Sequence, residues 1–160
     1  MTITTNVTRL LDSKKIPYTA YETSAEKLGA LETARFLNVE TASIFKTIVV
    51  TREKKKPLLV VVPGDSEVDL KLLASSLGEK KVHLPSEREA EQLTGLQAGG
   101  ISPLALINKG FQVVIDTSAQ TLGEIHVSGG QRGLNIKLPA DALAKLVGAR
   151  FANVSRPALG

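Results

Sequence analysis

Cysteine and tryptophan are absent from this chain, which has one methionine, two histidines, two tyrosines and four phenylalanines. Without cysteine there is no disulfide framework, no thiolate zinc site and no thiol nucleophile supplied by the protein. His83 and His126 alone do not make a metal cage, and no metal or cofactor is expected. Each histidine sits in a short alternation, Val82-His83-Leu84 and Ile125-His126-Val127, which predicts a solvent-facing imidazole in both cases. No apolar run approaches the roughly 18 residues that a membrane span needs, and no basic-then-apolar leader is seen, so a cytoplasmic protein with no membrane role is expected.

What remains is globular composition: 160 residues, 42% hydrophobic and 22% charged, which predicts one domain spanning 1–160 with a sizeable core. A net charge of +4 and a pI near 9.4 favour a polyanionic partner. The densest basic cluster, Lys54-Lys55-Lys56, lies between two apolar runs and reads as a solvated hairpin turn, with a nucleic-acid contact as the alternative.

Helical and extended patterns alternate along the chain. Thr4 to Lys15 carries Val7, Leu10 and Leu11 at helical spacing and stops before Ile16-Pro17, because a residue preceding proline avoids the helical region. Tyr18 to Glu22 reads as a short strand and Glu26 to Leu37 as a helix. Ile44 to Thr51 and Leu58 to Val62 are rich in β-branched residues and should pair as a hairpin. Asp69 offers an N-cap to a helix from Leu70 to Leu77, and Ser86 with Glu89 forms a capping box for a second helix ending at Leu93. Further strands are predicted at Lys81 to Leu84, Gln112 to Asp116, Glu124 to Ser128, Leu134 to Leu138 and Phe151 to Val154, with a helix from Pro139 to Val147. Links between several strands are too short for parallel crossovers. The fold class expected is α/β of the α+β kind: a mixed, largely antiparallel sheet curled toward a barrel and packed by helices.

Two features do not follow from folding alone. Lys46 stands inside Ile44-Phe45-Lys46-Thr47-Ile48-Val49-Val50 and shares a strand face with Ile44, Ile48 and Val50. A cation there either snorkels to water over apolar surface or meets an anion, and both readings stay open. The second feature is a pair of glycine-rich loops, Gly95-Leu96-Gln97-Ala98-Gly99-Gly100-Ile101-Ser102-Pro103 and Ser128-Gly129-Gly130-Gln131-Arg132-Gly133. The latter suits an ordinary hairpin connection. No strand pair requires the former, so amides presented to an oxyanion or phosphate are as good a reading as punctuation. Neither loop fits the Walker or dinucleotide pattern, which disfavours a nucleoside-triphosphate enzyme.

In order and at suitable spacing, Phe45-Lys46-Thr47, Gly99-Gly100-Ile101-Ser102-Pro103 and Val127-Ser128-Gly129-Gly130-Gln131-Arg132-Gly133-Leu134 resemble the YbaK/EbsC family of aminoacyl-tRNA deacylases, from about Val7 to Ala152. The bacterial Cys-tRNA(Pro) deacylase branch is the nearest in pattern, a relative of the editing domain inserted in prolyl-tRNA synthetases. The resemblance implies hydrolysis of the aminoacyl ester at the acceptor end of mischarged tRNA, with a transient prolyl-tRNA synthetase complex supplying tRNA selectivity. It implies Lys46 as the functional lysine. Gly99 and Pro103 match the ends of a G-x-x-x-P loop, with Gly100, Ile101 and Ser102 inside it and the amides of Gly99 and Gly100 as oxyanion donors. Tyr21 resembles a pocket tyrosine, Leu28 stands where a phenylalanine is common, and Ser128 and Gly129 match a turn near the pocket. Phe45 and Tyr21 are candidates for stacking on adenine, against the alternative of core packing. Asn135 departs from the aspartate of close relatives, which removes an anionic acceptor. In this branch the substrate's own thiol attacks its carbonyl, in keeping with a chain that has no cysteine.

Overall fold

Strand β3 (Lys55–Pro63) organises the molecule, because Leu58, Leu59, Val60, Val61 and Val62 are all fully buried and a strand apolar on both faces must be covered on both. The computed structural model describes residues 3–158. β3 pairs antiparallel with β2 (Phe45–Arg52) and parallel with β5 (Gln112–Asp116), which pairs parallel with β8 (Arg150–Ala152). A second, three-stranded antiparallel sheet runs β1 (Thr19–Glu22), β7 (Leu134–Pro139), β6 (Glu124–Ser128). β4 (Ser66–Val68) and β9 (Ser155–Pro157) form a small ribbon.

Alternation along β2 and β3 divides the core. Phe45, Val49, Leu59 and Val61 face Ile125, Val127, Ile136 and Leu138 of the second sheet and Leu143 of α6 (Ala140–Val147). Val50, Leu58, Val60 and Val62 face α3 (Leu70–Leu77) through Leu73 and Ala74, with Val68 and Val154. α1 (Asn6–Ser13) packs Val7 and Leu11 into the first of these cores, and α5 (Ser118–Leu122) adds Ala119.

The mixed α/β character and most elements agree with the sequence reading, and the differences have local causes. The two larger sheets meet at a single parallel bridge, Ile44 to His126, and do not close into a barrel. The parallel pairs β3–β5 and β5–β8 arise because the chain between their strands carries helices, α3 and α4 (Glu87–Thr94) in the first case and α5 and α6 in the second. Residues 81–84 form one bridge, His83 to Thr51, with reciprocal amide bonds of 2.8 and 3.0 Å, before Pro85 and the cap at Ser86 turn the chain into α4. Helix α2 (Ala30–Leu37) begins four residues later than Glu26, because Gly29 is its N-cap and the Glu32 carboxylate turns back to take the Gly29 amide. Leu28 therefore lies in the preceding loop. The lysine cluster does flank a hairpin, whose turn is Glu53–Lys54 with Lys54 at φ +57°.

Candidate functional site

A cavity of about 440 Å³ opens where β2, the loop 23–29, the segment entering α4 and the two glycine-rich loops converge. Of the residues singled out from the sequence, Leu28, Phe45, Lys46, Gly99, Ile101, Ser128 and Asn135 border it. Tyr21, Gly100, Ser102, Pro103 and Gly129 do not.

Lys46 is half-buried on the strand face that also carries Ile48 and Val50, as alternation requires. Among the described residues no carboxylate lies within ion-pair distance of it. Burial pulls its ammonium pKa below the usual lysine value, and the more distant Glu67 and Asp65 push the other way. Its side chain also borders a neighbouring cleft of about 430 Å³ with Leu70, Lys71 and Arg156, so it stands at the junction of two open spaces.

The glycine loops pack against each other. A Cβ on Gly100 would come within 2.9 Å of the Gln131 Cα and 3.0 Å of the Arg132 nitrogen, so only glycine lets the two backbones approach this closely. Arg132 reinforces the contact by donating from Nε to the Ala98 carbonyl at 2.8 Å. The Gly100 amide is committed to the Gln97 carbonyl at 2.8 Å and is not free to meet a substrate oxyanion. Gly99, at φ +89°, and Ile101 are the loop positions whose amides have no acceptor among the described residues and which border the cavity. Ser102 is 0% exposed and its Oγ accepts from the Leu104 amide, capping the 3-10 turn Pro103–Ala105 with Pro103 buried at its first position. Both support the loop from beneath. Gly129 is likewise internal, with Leu134 side-chain atoms where its Cβ would be.

On the opposite wall, Asn135 of β7 lies between Tyr21 of β1 and Ser128 of β6 in register. Its Oδ1 is 2.7 Å from Nδ1 of His126, and the two residues are 5% and 4% exposed. The expectation of a solvent-facing His126 is thus overturned. The alternation correctly sets it on the face opposite Ile125 and Val127, but on that face the ring meets Asn135 and has the tilted Tyr21 ring centred 5.6 Å away, while the chain at Ile44 bridges alongside the strand. Burial lowers the imidazole pKa, the Asn135 contact opposing it, so the ring is neutral in neutral solution. Tyr21 is engaged with His126 and lies outside the cavity, while Phe45 is 2% exposed and packs in the core.

Most of the cavity lining was not singled out from the sequence, Thr47, Lys27 and Arg132 included. Thr47 points its hydroxyl into a buried position with no hydrogen-bond partner among the described residues. Its only signal was its place in the string Phe45-Lys46-Thr47. Lys27 pairs with Glu87 at 2.7 Å across the mouth, and Arg132 carried no signal beyond its glycine-rich surroundings. Among the described residues no group of three or more histidines and carboxylates is placed to hold a metal ion.

Residues 24–146 match the aminoacyl-tRNA editing domain family. Over 153 residues the chain is 37% identical to an Enterococcus faecalis protein named "Putative Cys-tRNA(Pro)/Cys-tRNA(Cys) deacylase EbsC", covering 94% of this chain and 93% of that one. It is 33% identical over 70 residues to the proline–tRNA ligase of Aquifex aeolicus, a match to 44% of this chain and 12% of the ligase. The fold is similar to that in a "Crystal structure of a putative trans-editing enzyme for prolyl tRNA synthetase", with a TM-score of 0.78 at 22% identity over 97% of this chain and 99% of the other.

Proposed function

Because this chain belongs to the aminoacyl-tRNA editing domain family, we propose that it is a deacylase acting on mischarged tRNA, with Cys-tRNA(Pro) as its substrate. The observation that carries this reading is the convergence of Lys46 and the Gly99–Ile101 backbone on one cavity large enough for an aminoacyl-adenosine end.

The reaction is an ester hydrolysis in which the protein supplies position and electrostatics. The cysteinyl thiol, once deprotonated, attacks its own carbonyl carbon. A carbon–sulfur bond forms, the carbon–oxygen bond to the ribose breaks, and the proton lost from sulfur ends on the ribose oxygen. Water then opens the cyclic thioester to free cysteine. Negative charge on the carbonyl oxygen is met by the Gly99 and Ile101 amides, each donor of this kind being worth about 3 kcal/mol in a water-poor site. Lys46 acts as an ammonium on the terminal phosphate or ribose. A phosphate beside it restores the charged form that burial disfavours, which is the opposite of what a general base needs.

Contacts to tRNA are concentrated at the acceptor end and its phosphates, so affinity falls as salt rises. Selection of the proline tRNA is assigned to a transient complex with prolyl-tRNA synthetase in the cytoplasm, a reading supported by likeness to part of a proline–tRNA ligase. Crosslinking of the two proteins in the presence of tRNA tests the complex. A panel of tRNAs mischarged with cysteine, alanine and serine, assayed with the wild type and Lys46→Ala, tests the activity. Release of cysteine that depends on Lys46 is the expected result, and equal rates for the two proteins would remove Lys46 from the site.

A further inference from the structure

The Asn135 amide has two ends, and the fold uses only one. Oδ1 lies 2.7 Å from Nδ1 of His126, a contact that is a hydrogen bond in the tautomer protonated on Nδ1, where the ring donates to Oδ1. Nδ2 has no acceptor among the described residues, but it is not sealed from solvent, since Thr47 Oγ1 is the side-chain polar atom found both buried and unpartnered. Asn135 borders the cavity, and Nδ2 is the end of its amide that His126 leaves unengaged. Thr47, Ser128 and Lys46 border the same cavity. Carboxylates border the cavity only at exposed positions, Glu26 and Glu87, and Glu87 is paired with Lys27.

We propose that His126 is a positioning residue that locks Asn135 with its amide nitrogen facing the cavity, so that this wall recognises an oxygen of the aminoacyl ester and leaves the α-amino group unrecognised. The inference rests on the deacylase reading above and specifies the substrate class: esters whose amine is acylated are accepted as readily as those with a free ammonium. A donor cannot bind an ammonium, which is itself only a donor, and Lys46 adds like charge to the same space. N-acylation removes that repulsion. It leaves the ester carbonyl and the attacking thiol unchanged.

The experiment compares kcat/KM for cysteinyl-tRNA(Pro) and N-acetylcysteinyl-tRNA(Pro). For the wild type the two values are expected to agree within about threefold, whereas Asn135→Asp, which supplies an anion, should favour the free amine by roughly tenfold or more. Two substitutions at His126 separate positioning from packing. His126→Asn sets an amide N–H close to the place of Nδ1 and should keep the wild-type ratio. His126→Phe keeps a ring against Tyr21 but cannot donate, so Asn135 is free to rotate and KM for the N-acetyl substrate should rise by roughly tenfold with kcat little changed.

A wild type that prefers the free amine by more than tenfold would overturn the proposal. So would a Phe variant that matches the wild type while the Asn variant fails. If His126→Phe does not fold, the Asn135→Asp ratio still decides. If the wild type hydrolyses neither ester, the deacylase reading is what fails, and binding of the non-hydrolysable 3′-amide analogues of cysteinyl- and N-acetylcysteinyl-adenosine takes over. Comparable affinities support the inference, and preference for the free amine or binding of neither overturns it.

Discussion

Lys46 and His126 are both polar side chains set among aliphatic strand neighbours, and the fold treats them in opposite ways. His126 is almost wholly covered, but its ring nitrogen meets the Asn135 amide oxygen, so the cost of leaving water is largely offset. Lys46 keeps part of its exposure, has no carboxylate within ion-pair distance among the described residues, and stands where two open spaces meet. A satisfied buried polar pair serves order. A charge held partly dry and without a partner destabilises the fold and gains only when an anion arrives.

The sharpest way to break this comparison is at Lys46 itself. Deacylation of cysteinyl-tRNA(Pro) by Lys46→Ala should fall by roughly a hundredfold or more, read in single-turnover assays. The unfolding midpoint of Lys46→Met should rise at neutral pH. Because the folded-state pKa is depressed, the wild type carries this penalty at neutral pH and is relieved of it only as pH climbs toward the unfolded value near 10.5, so the two proteins should converge in alkali. A variant less stable than the wild type would mean that the charge is satisfied after all.

Next in size is Gly100→Ala, which drives a methyl into the Gln131–Arg132 backbone and should lower stability by about 1–3 kcal/mol in urea unfolding, with activity lost as the loops separate. Thr47→Val tests the unpartnered hydroxyl. Removing it should stabilise the protein by about 1 kcal/mol and raise KM if a substrate group supplies the missing partner. The least drastic test is acidification. With the His126 pKa depressed by burial, stability is full above the unfolded value of 6.5 and is lost as pH falls through the folded one, a loss that His126→Asn should blunt in thermal melts across that range.

How far the sequence reached differs from residue to residue. Lys46 was legible because period-two alternation assigns it to an aliphatic face whatever the rest of the fold does. Gly99 and Gly100 were legible as a loop without a turn to justify it, but not as two different things. Gly100 is needed for backbone approach to a segment some 30 residues away, and its amide is taken by Gln97, whereas the Gly99 amide has no acceptor among the described residues. Ser102 and Pro103 stood next to these in the string and proved to be a buried cap, since a 3-10 turn there uses the hydroxyl for the Leu104 amide. Leu28 was placed in the first turn of a helix that the Gly29 cap begins only after it.

The sequence by itself determined most of the longer strands and helices, the face on which their side chains stand and the absence of a protein thiol, because these depend on local periodicity and on residue chemistry, whereas β4, α5 and β9 carried no such signal. Which of those faces would meet water was decided only by tertiary structure. Alternation put His126 opposite the core, but Tyr21 and Asn135, brought onto that face by the pairing of β1 and β7, made an imidazole expected in solvent into a buried hydrogen-bond partner. The reason is physical: a strand's pattern fixes which side chains point together, while hydration and hydrogen bonding depend on whatever distant segment packs over them.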